Sequence, residues 1–262
     1  MERVSIIIPA YNEERRIAGT LEEYSRFFTN LKKTKKLDSE ILIVINNTKD
    51  KTEDIVKKCK KKYKIIKYLN FKQGGKGFAI IEGFREALKN NKNSIIGFVD
   101  ADLATGPEAF YDLVKSINGF DGAIGSRYIP GAKVNPKQTL QRIIVSRVYN
   151  FFLRVLFLIN YKDTQCGVKI FKKATIEKII KDLTITQWAF DTDILYQCKK
   201  NNFHIKEHPT SWSDKEYSKI DLGKSGSRMV LASLRLRIIN SPFKKTYNLL
   251  KPIGGFVWRI LK

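Results

Sequence analysis

The two carboxylates of Asp100-Ala101-Asp102 are the groups of this sequence best suited to chemistry. They follow the apolar run at residues 95–99, whose length and β-branched residues are typical of a buried strand. In open α/β sheets, ligands bind beyond the carboxyl ends of the strands. Paired carboxylates at such a position can hold a hard divalent cation that also binds a substrate diphosphate. Asp100 and Asp102 are therefore candidate metal ligands.

Three other predicted strands also end in groups that suit phosphates or sugars. Residues 9–13 follow the first strand, Asn46 follows the second, and the glycine-rich turn at residues 74–77 follows the third and begins a helix. Glycines at such a turn let backbone N–H groups approach an anion, the helix dipole favours it, and Lys76 adds a positive charge. The series predicts a ligand site along one edge of the sheet.

The elements that must position these groups alternate between strand and helix over residues 1–128. Helices are predicted from Asn12 or Glu13, near Glu53, after the glycine-rich turn and from Pro107, where proline suits the first helical position. This alternation predicts an α/β fold with a mostly parallel, doubly wound sheet. The predicted strands cover residues 4–9, 40–45, 65–69, 95–99 and 121–126.

The pattern changes after residue 128. A long basic and apolar helix is predicted near residues 138–159, followed by a strand at 167–171, helical stretches on both sides of Trp188, and a strand at 203–209. Arg147 and Arg154 interrupt the apolar stretch of this helix, residues 143–159, which excludes a membrane span. Two interpretations stay open, an amphipathic helix in the plane of a membrane or a core-packing helix with two surface arginines.

The C-terminal segment, residues 222–262, contains nine Lys or Arg and no Asp or Glu. Its cations alternate with aromatic and aliphatic residues, which suits an anionic membrane surface. A nucleic-acid-binding tail, which would carry fewer aliphatic residues, and a helix docked on the domain are the alternatives. We therefore divide the chain into a catalytic domain at residues 1–221 and a membrane-associating segment at 222–262.

Composition limits the class of protein and its partners. The chain of 262 residues carries a formal net charge of +23, which favours anionic partners. Cys59, Cys166 and Cys198 form no Cys-x-x-Cys pair, which argues against a disulfide framework and predicts a reducing compartment. A strand begins directly after the N-terminus, so we expect no signal peptide and a cytoplasmic location.

These motifs together resemble a known family. Residues 4–13, Gly75-Lys76-Gly77 and Asp100-Ala101-Asp102 are similar to the family 2 glycosyltransferases of the GT-A fold. Residues 125–128, 163–171 and 190–195 resemble its polyprenyl-phosphate branch, which includes dolichyl-phosphate glucosyltransferases and dolichol-phosphate mannose synthases. The resemblance runs from residue 4 to about 240. It implies a Rossmann-like GT-A fold followed by C-terminal amphipathic helices.

The resemblance implies roles for the residues of the donor site. Asn46 occupies a position where relatives carry an aspartate for the base or ribose, and Ala104 stands where mannose synthases carry a glutamine, which favours the glucosyltransferase branch. Asp102 and Asp191 are the expected catalytic residues, and Asp102 and Asp100 the expected metal ligands. The residues expected to bind the nucleotide sugar are Pro9, Tyr11, Glu13, Asn46, Lys76, Asp100, Ala101, Gln165 and Lys219.

The resemblance also implies a site for an acceptor phosphate, formed by Arg127, Arg142 and Ser146. Arg142 and Ser146 are four residues apart, so they share one face of the predicted helix. Arginine suits this role because its planar fork matches a phosphate. If the acceptor is instead a hydroxyl, Asp191 or Asp193 is the candidate general base.

These observations predict an inverting, metal-dependent transferase. We expect it to move a hexose from UDP- or GDP-hexose to a polyprenyl (dolichyl) phosphate, with Mg²⁺ or Mn²⁺, while bound peripherally to the cytoplasmic face of an anionic membrane. A glycosyltransferase acting on a hydroxyl acceptor is one alternative. A basic nucleotide- or nucleic-acid-binding module is another, although we expect no nucleic-acid partner.

Overall fold

A computed structural model describes residues 2–136, 139–184, 189–213 and 222–242. The strands are β1 (Arg3–Ala10), β2 (Asp38–Asn46), β3 (Ile66–Phe71), β4 (Ile95–Val99), β5 (Gly122–Ser126), β6 (Lys133–Val134), β7 (Val168–Lys172), β8 (Ile205–Pro209) and β9 (Ser211–Trp212). The helices are α1 (Ile17–Lys33), α2 (Thr52–Lys62), α3 (Lys76–Leu88), α4 (Pro107–Ser116), α5 (Leu140–Phe157), α6 (Lys173–Ile179), α7 (Phe190–Lys200) and α8 (Leu222–Ile239).

The main sheet has the strand order β3-β2-β1-β4-β7-β5-β8. Its neighbouring strands are parallel except at β7, which runs antiparallel to both β4 and β5. The predicted α/β fold with a mostly parallel sheet is confirmed. The antiparallel strand follows the long excursion of the chain through α5, where the predicted alternation of strands and helices ends. The carboxyl ends of β1, β2, β3 and β4 lie along one edge of the sheet.

Helices cover both faces of the sheet, as a parallel sheet requires. On one face α1 buries Tyr24 and Phe28, and on the other α3 buries Phe84. Gly83 lets α3 approach β1 closely, because a Cβ at this position would lie 2.6 Å from a methyl carbon of Ile7. Tight packing of this kind fixes the position of α3 relative to the strand ends.

The loop after β1 corrects one sequence prediction. Helix α1 begins at Ile17 and not at Asn12 or Glu13. Asn12 instead adopts a left-handed conformation, with φ of 52°. The backbone N–H groups of Asn12 and Glu13 donate to the hydroxyls of Thr48 and Thr52 at 3.3 and 2.8 Å. These bonds hold the loop against the connection between β2 and α2.

Helix α8 packs against α5 at the C-terminal side of the domain. Leu236 of α8 is fully buried in a cluster with Leu153 and Phe157 of α5. The hydroxyls of Tyr149 and Ser233 are 2.9 Å apart and join the two helices. The segment that begins at residue 222 therefore contacts the domain along α8, whereas residues 243–262 lie outside the described part of the chain.

Helix α5 combines features of both interpretations left open above. Its inner face packs into the protein, and its outer face exposes a stripe of apolar residues at helical spacing. None of the helices in the described ranges has a stretch long and apolar enough to cross a membrane. The residues of the exposed apolar stripe are Leu140, Ile144, Val148, Phe151, Val155 and Leu158.

Candidate active site

The loop after β4 holds the two carboxylates predicted as metal ligands. The backbone N–H of Asp100 donates to the carbonyl oxygen of Gly167 at 3.2 Å, and the N–H of Ala104 donates to Asp102 Oδ1 at 3.0 Å. The Asp100 and Asp102 side chains are 39% and 32% exposed, so both carboxylates reach a ligand-accessible surface. The strand therefore delivers them to the edge of the sheet as predicted.

Two side-chain hydroxyls of α1 donate hydrogen bonds to backbone carbonyl oxygens of this loop. The Thr20 hydroxyl donates to the carbonyl oxygen of Ala101 at 2.7 Å, and the Tyr24 hydroxyl donates to that of Thr105 at 2.8 Å. Thr20 and Tyr24 are one helical turn apart and share a face. Neither residue is among the site residues predicted from the sequence.

Four charged side chains of alternating sign contact one another in sequence, Lys169, Asp191, Lys76 and Asp100, and we call them the charge chain. Lys169 Nζ lies 2.6 Å from Asp191 Oδ1, and Lys76 Nζ lies 3.3 Å from Asp191 Oδ2 and 2.8 Å from Asp100 Oδ1. Lys76 is the first residue of α3, and Asp191 lies in the first turn of α7. The structure thus brings together three predicted site residues, Asp100, Lys76 and Asp191, and adds Lys169.

The carboxylates of this chain have perturbed pKa values. Burial opposes ionisation of Asp191, but the ammonium groups of Lys169 and Lys76 outweigh it and lower its pKa. Partial desolvation within the site, together with the nearby carboxylates of Asp102 and Asp191, raises the pKa of Asp100 despite the contact with Lys76. Negative charge is therefore crowded at Asp100, which fits a site for a cation.

The donor set for such a cation is small. In the described part of the chain, no group of three or more His, Cys, Asp or Glu side chains is arranged to hold a metal ion. Asp100 and Asp102 offer oxygen ligands of the type that Mg²⁺ and Mn²⁺ take. The residues fit a divalent ion whose remaining ligands are water and substrate phosphate, as Mg²⁺ usually requires.

Asn46 joins two of the predicted ligand-binding loops. Its side chain is buried, donates to the carbonyl oxygen of Ala10 at 3.1 Å and accepts from the backbone N–H of Gly75 at 3.0 Å. Gly75 has φ of 122°, a conformation that glycine adopts readily. Asn46 therefore fixes the glycine-rich turn beside the end of β1, where Tyr11 is 51% exposed.

Glu13 lies beside an arginine that sequence analysis missed. Both Glu13 carboxylate oxygens accept from the Arg16 guanidinium at 2.7 Å, and Arg16 Nη1 lies 4.0 Å from Asp102 Oδ2. The sequence signal was weak, because Arg15 and Arg16 are adjacent cations just before α1 and residue type does not distinguish them. Arg16 links the loop after β1 with the loop after β4 and adds positive charge beside the candidate metal ligands.

The remaining predicted donor residues are placed as follows. Gln165 Nε2 donates to the Thr192 hydroxyl at 3.2 Å, which places Gln165 next to the first turn of α7 that carries Asp191. Pro9 is partly buried at the end of β1. Lys219 lies outside the described residues, so its predicted role stays a prediction.

Arg127 makes a bidentate ion pair in the predicted acceptor region. Its Nε and Nη2 atoms donate to the two carboxylate oxygens of Asp163 at 2.8 and 2.9 Å, and its backbone N–H donates to Asp163 at 3.0 Å. Burial alone would lower the pKa of Arg127, but Asp163 outweighs it and raises the pKa further. Arg127 is therefore a fixed, permanently charged group.

Two aromatic rings connect Arg127 with α5. The Trp212 ring centre lies 5.4 Å from the Arg127 guanidinium carbon and 5.6 Å from that of Arg142, within cation–π range. The Tyr128 ring lies 5.3 Å from Arg127, and its hydroxyl donates to the Ser146 hydroxyl at 2.8 Å. The structure thus brings Arg127, Arg142 and Ser146 into one cluster, and their role in binding an acceptor phosphate stays a prediction.

One backbone contact joins this arginine cluster to the carboxylate loop. The N–H of Ser213 donates to the carbonyl oxygen of Ala104 at 2.8 Å, directly after Trp212 in the chain. The N–H of the same Ala104 is bonded to Asp102. The loop that carries the candidate metal ligands is therefore hydrogen-bonded to the segment that carries Trp212 of the arginine cluster.

Solved structures share this fold. The chain aligns with glucosyl-3-phosphoglycerate synthase from Mycobacterium tuberculosis in complex with UDP, with a TM-score of 0.64 and 15% identity over 90% of this chain and 80% of that chain. A second structure of that enzyme, with Mn²⁺, UDP and phosphoglyceric acid, also gives a TM-score of 0.64, at 13% identity over 90% and 78% of the chains. These similarities confirm the predicted GT-A fold.

Sequence comparison identifies similar proteins and the family in addition to the fold. The dolichyl-phosphate beta-glucosyltransferase of Dictyostelium discoideum is 33% identical over 89% of this chain and 73% of its own length. That of Saccharomyces cerevisiae is 31% identical over 86% and 71%, and that of Homo sapiens 28% over 84% and 70%. The family model for glycosyl transferase family 2 matches residues 5–180. The resemblance seen in the sequence is confirmed, and the chain belongs to glycosyl transferase family 2.

Proposed function

We propose that this glycosyltransferase moves glucose from a nucleotide-diphosphate sugar to a polyprenyl phosphate of the dolichyl type, with inversion at the anomeric carbon. The observation that carries the proposal is the contact of Ser213 with Ala104, which joins a carboxylate and lysine site to an arginine cluster. The first suits a sugar diphosphate and the second suits a phosphate acceptor. The names of the similar dolichyl-phosphate glucosyltransferases support glucose as the sugar.

On the donor side, Asp100 and Asp102 would hold Mg²⁺ or Mn²⁺. The ion would neutralise charge that develops on the leaving diphosphate. Lys76 contributes a second positive charge at the N-terminus of α3, where backbone N–H groups also favour an anion. The exposed Tyr11 ring offers a face on which the nucleotide base can stack. We infer that the nucleotide is UDP or GDP.

On the acceptor side, a phosphate is already ionised near neutral pH and needs no strong general base. Arg142 and Ser146 would bind it, with Arg127 as the fixed charge behind them. Asp191 would orient the sugar or the acceptor. If the acceptor were a hydroxyl, Asp191 is the better candidate base, because Asp193 accepts bonds from the Thr184 N–H and from Gln197 and is fully buried.

The exposed apolar stripe of α5 supports association with a membrane. Arg147, which is exposed, and Arg154 are seven residues apart on the same helix, so cations accompany the stripe. An amphipathic helix of this kind lies at the interface of an anionic bilayer. We infer that α5 and the basic segment after residue 242 hold the enzyme peripherally at the cytoplasmic face, where a lipid phosphate reaches Arg142.

A transfer assay tests the chemistry. Radiolabelled UDP- and GDP-hexoses are incubated with polyprenyl phosphate and either Mg²⁺ or Mn²⁺, and the lipid product is extracted. We expect transfer of glucose, loss of metal-dependent transfer in Asp102→Ala, and a rise of about tenfold or more in the acceptor KM, with an unchanged donor KM, in Arg142→Ala. Arg85→Ala, in an exposed ion pair on α3, is the control. Equal transfer to soluble hydroxyl acceptors, or full turnover in Asp102→Ala, would contradict the proposal.

A liposome assay tests the membrane role. Co-sedimentation with anionic vesicles should fall in Phe151→Glu and in a chain that ends at residue 242, because each change weakens one part of the proposed surface. Zwitterionic vesicles are the control for the electrostatic part. Unchanged binding of both variants to anionic vesicles would remove the membrane proposal and leave the chemistry intact.

A further inference from the structure

Lys169 is fully buried, at a position where a neutral side chain would avoid the free-energy cost of desolvating a charge. It lies on β7, in the middle of the sheet, and its side chain has no exposed surface. Burying an ammonium group carries a large desolvation penalty, and hydrophobic replacement of a buried ion pair is often neutral or stabilising. The residue therefore calls for an explanation beyond packing.

Its contacts show a cation that is held rigidly. Lys169 Nζ donates to Asp191 Oδ1 at 2.6 Å and to the carbonyl oxygen of Cys166 at 2.7 Å, and it lies 5.5 Å from the centre of the Phe98 ring. Two acceptors and an aromatic face surround the ammonium group. Lys169 is thus held by groups of the protein, and its side chain is closed off from solvent.

Lys76 differs from Lys169 although both contact Asp191. The Lys76 side chain is 31% exposed and lies at the start of a helix, beside the glycine-rich turn. Each lysine takes a different oxygen of Asp191, and Lys76 also contacts Asp100. A diphosphate that enters the site would compete with both carboxylates for Lys76.

We propose that Lys169 is a positioning residue, the permanent counter-ion of Asp191, and that it frees Lys76 to move from the carboxylates to the donor diphosphate. Both ammonium groups that contact Asp191 belong to Lys169 and Lys76. Without Lys169, movement of Lys76 to a phosphate would remove the second of them and leave a buried carboxylate without either lysine, which is strongly unfavourable. With Lys169 present, Asp191 stays paired and oriented. The inference rests on the proposed function in one respect, the contact of Lys76 with the diphosphate.

A double-mutant cycle on nucleotide binding tests this role. Isothermal titration calorimetry measures the Kd of UDP and of GDP with Mg²⁺ for the wild type, Lys169→Met, Asp191→Asn and the double variant. We expect Lys169→Met to weaken binding by about tenfold or more, because Asp191 then retains Lys76. In the Asp191→Asn background residue 191 has no charge to retain Lys76, and the contact of Lys76 with Asp100 is common to both variants, so the same change should alter Kd by less than about threefold.

Folding is measured separately by circular dichroism and thermal unfolding. If Lys169→Met does not fold, Lys169→Gln, which keeps a donor for the carbonyl oxygen of Cys166, takes its place in the cycle. Equal Kd values in the Asp191→Asn background support the proposal together with a loss of tenfold or more when Asp191 is present, because a lysine without a role would change neither. A loss of tenfold or more from Lys169→Met in the Asp191→Asn background, with both proteins folded, would overturn it.

The same titrations separate this inference from the proposed function. If the wild type binds neither UDP nor GDP with Mg²⁺, the proposed donor site fails and the role of Lys169 fails with it. If the wild type binds a nucleotide and the two substitutions act additively, only the role assigned to Lys169 fails. A non-additive cycle supports both.

Discussion

The Tyr24 hydroxyl donates a 2.8 Å hydrogen bond to the carbonyl oxygen of Thr105, across 81 residues of sequence. Tyr24 is fully buried, and burial raises the pKa of its hydroxyl well above the ordinary value, so the group remains a donor. The bond ties the core of α1 to the loop that carries Asp100 and Asp102. Packing inside the domain therefore determines where the candidate metal ligands lie.

Tyr24→Phe should loosen that loop. Removal of the hydroxyl leaves the buried Thr105 carbonyl without this donor, which we expect to lower the free energy of unfolding by about 1–2 kcal/mol. Urea denaturation measures the loss, and titration with UDP and Mg²⁺ should show weaker binding in the folded variant. Tyr63→Phe is the control, because the partly buried Tyr63 donates to Glu22, whose side chain is 46% exposed. Unchanged stability and binding in Tyr24→Phe would show that the bond does not hold the loop.

Gly167→Ala should displace the Asp100 carboxylate. A Cβ at this position would lie 2.0 Å from Asp100 Oδ2 and 2.6 Å from its Cγ, far inside contact distance. We expect the Asp100 side chain to rotate, with a loss of about tenfold or more in Mg²⁺-dependent nucleotide affinity. Gly19→Ala is the matched control, since nothing lies within 4 Å of its added Cβ. Equal affinities of the two variants would refute the predicted displacement.

Asp163→Asn should be more damaging than the loss of an exposed carboxylate. Arg127 and Asp163 side chains are only 11% and 1% exposed, so the change leaves a buried guanidinium without its counter-ion. We expect a loss of about 3 kcal/mol in the free energy of unfolding. Asp112→Asn, which breaks an exposed pair with Lys115, should lose less than about 1 kcal/mol. Similar losses in both variants would contradict the buried pair's role.

Local pattern was enough to predict the strands of the first half and the groups at their ends. Asp100 and Lys76 were found because apolar runs and glycines mark where strands end, and the sheet then places those ends together. The pairing of Arg127 with Asp163 was not predictable in this way. The two residues are 36 positions apart, and only the antiparallel strand β7, which breaks the alternating pattern, brings the segment before it beside β5.

Asn46 illustrates a different limit. The sequence marked it as a ligand-binding residue because it follows a strand, and its side chain in the structure bonds to Ala10 and Gly75. A polar residue at a strand end can hold neighbouring loops in place or contact a ligand, and residue type does not distinguish these roles. Lys169 was not predicted as part of the site, because its partner Asp191 lies on another element and only the folded chain brings the two together.

Asp193→Asn should change how stability depends on pH. Burial raises the pKa of Asp193 to about 6, although bonds from Thr184 and Gln197 oppose the shift. Between about pH 4 and pH 6 the folded state binds more protons at this group than the unfolded state, so its contribution to the free energy of unfolding falls as pH rises. Above about pH 7 the charged carboxylate destabilises the fold by about 1–3 kcal/mol.

The variant removes this penalty and keeps an oxygen that accepts from the Thr184 N–H, which bonds Asp193 at 2.6 Å in the wild type. Its stability relative to the wild type should therefore rise from pH 4.5 to pH 6.5 and stay constant above about pH 7. Loss of the bond from Gln197 would shift the whole curve without changing its slope. Urea unfolding at four pH values measures the difference, with the exposed Asp54→Asn as control. Parallel pH profiles for wild type and Asp193→Asn would show that Asp193 does not titrate in this range.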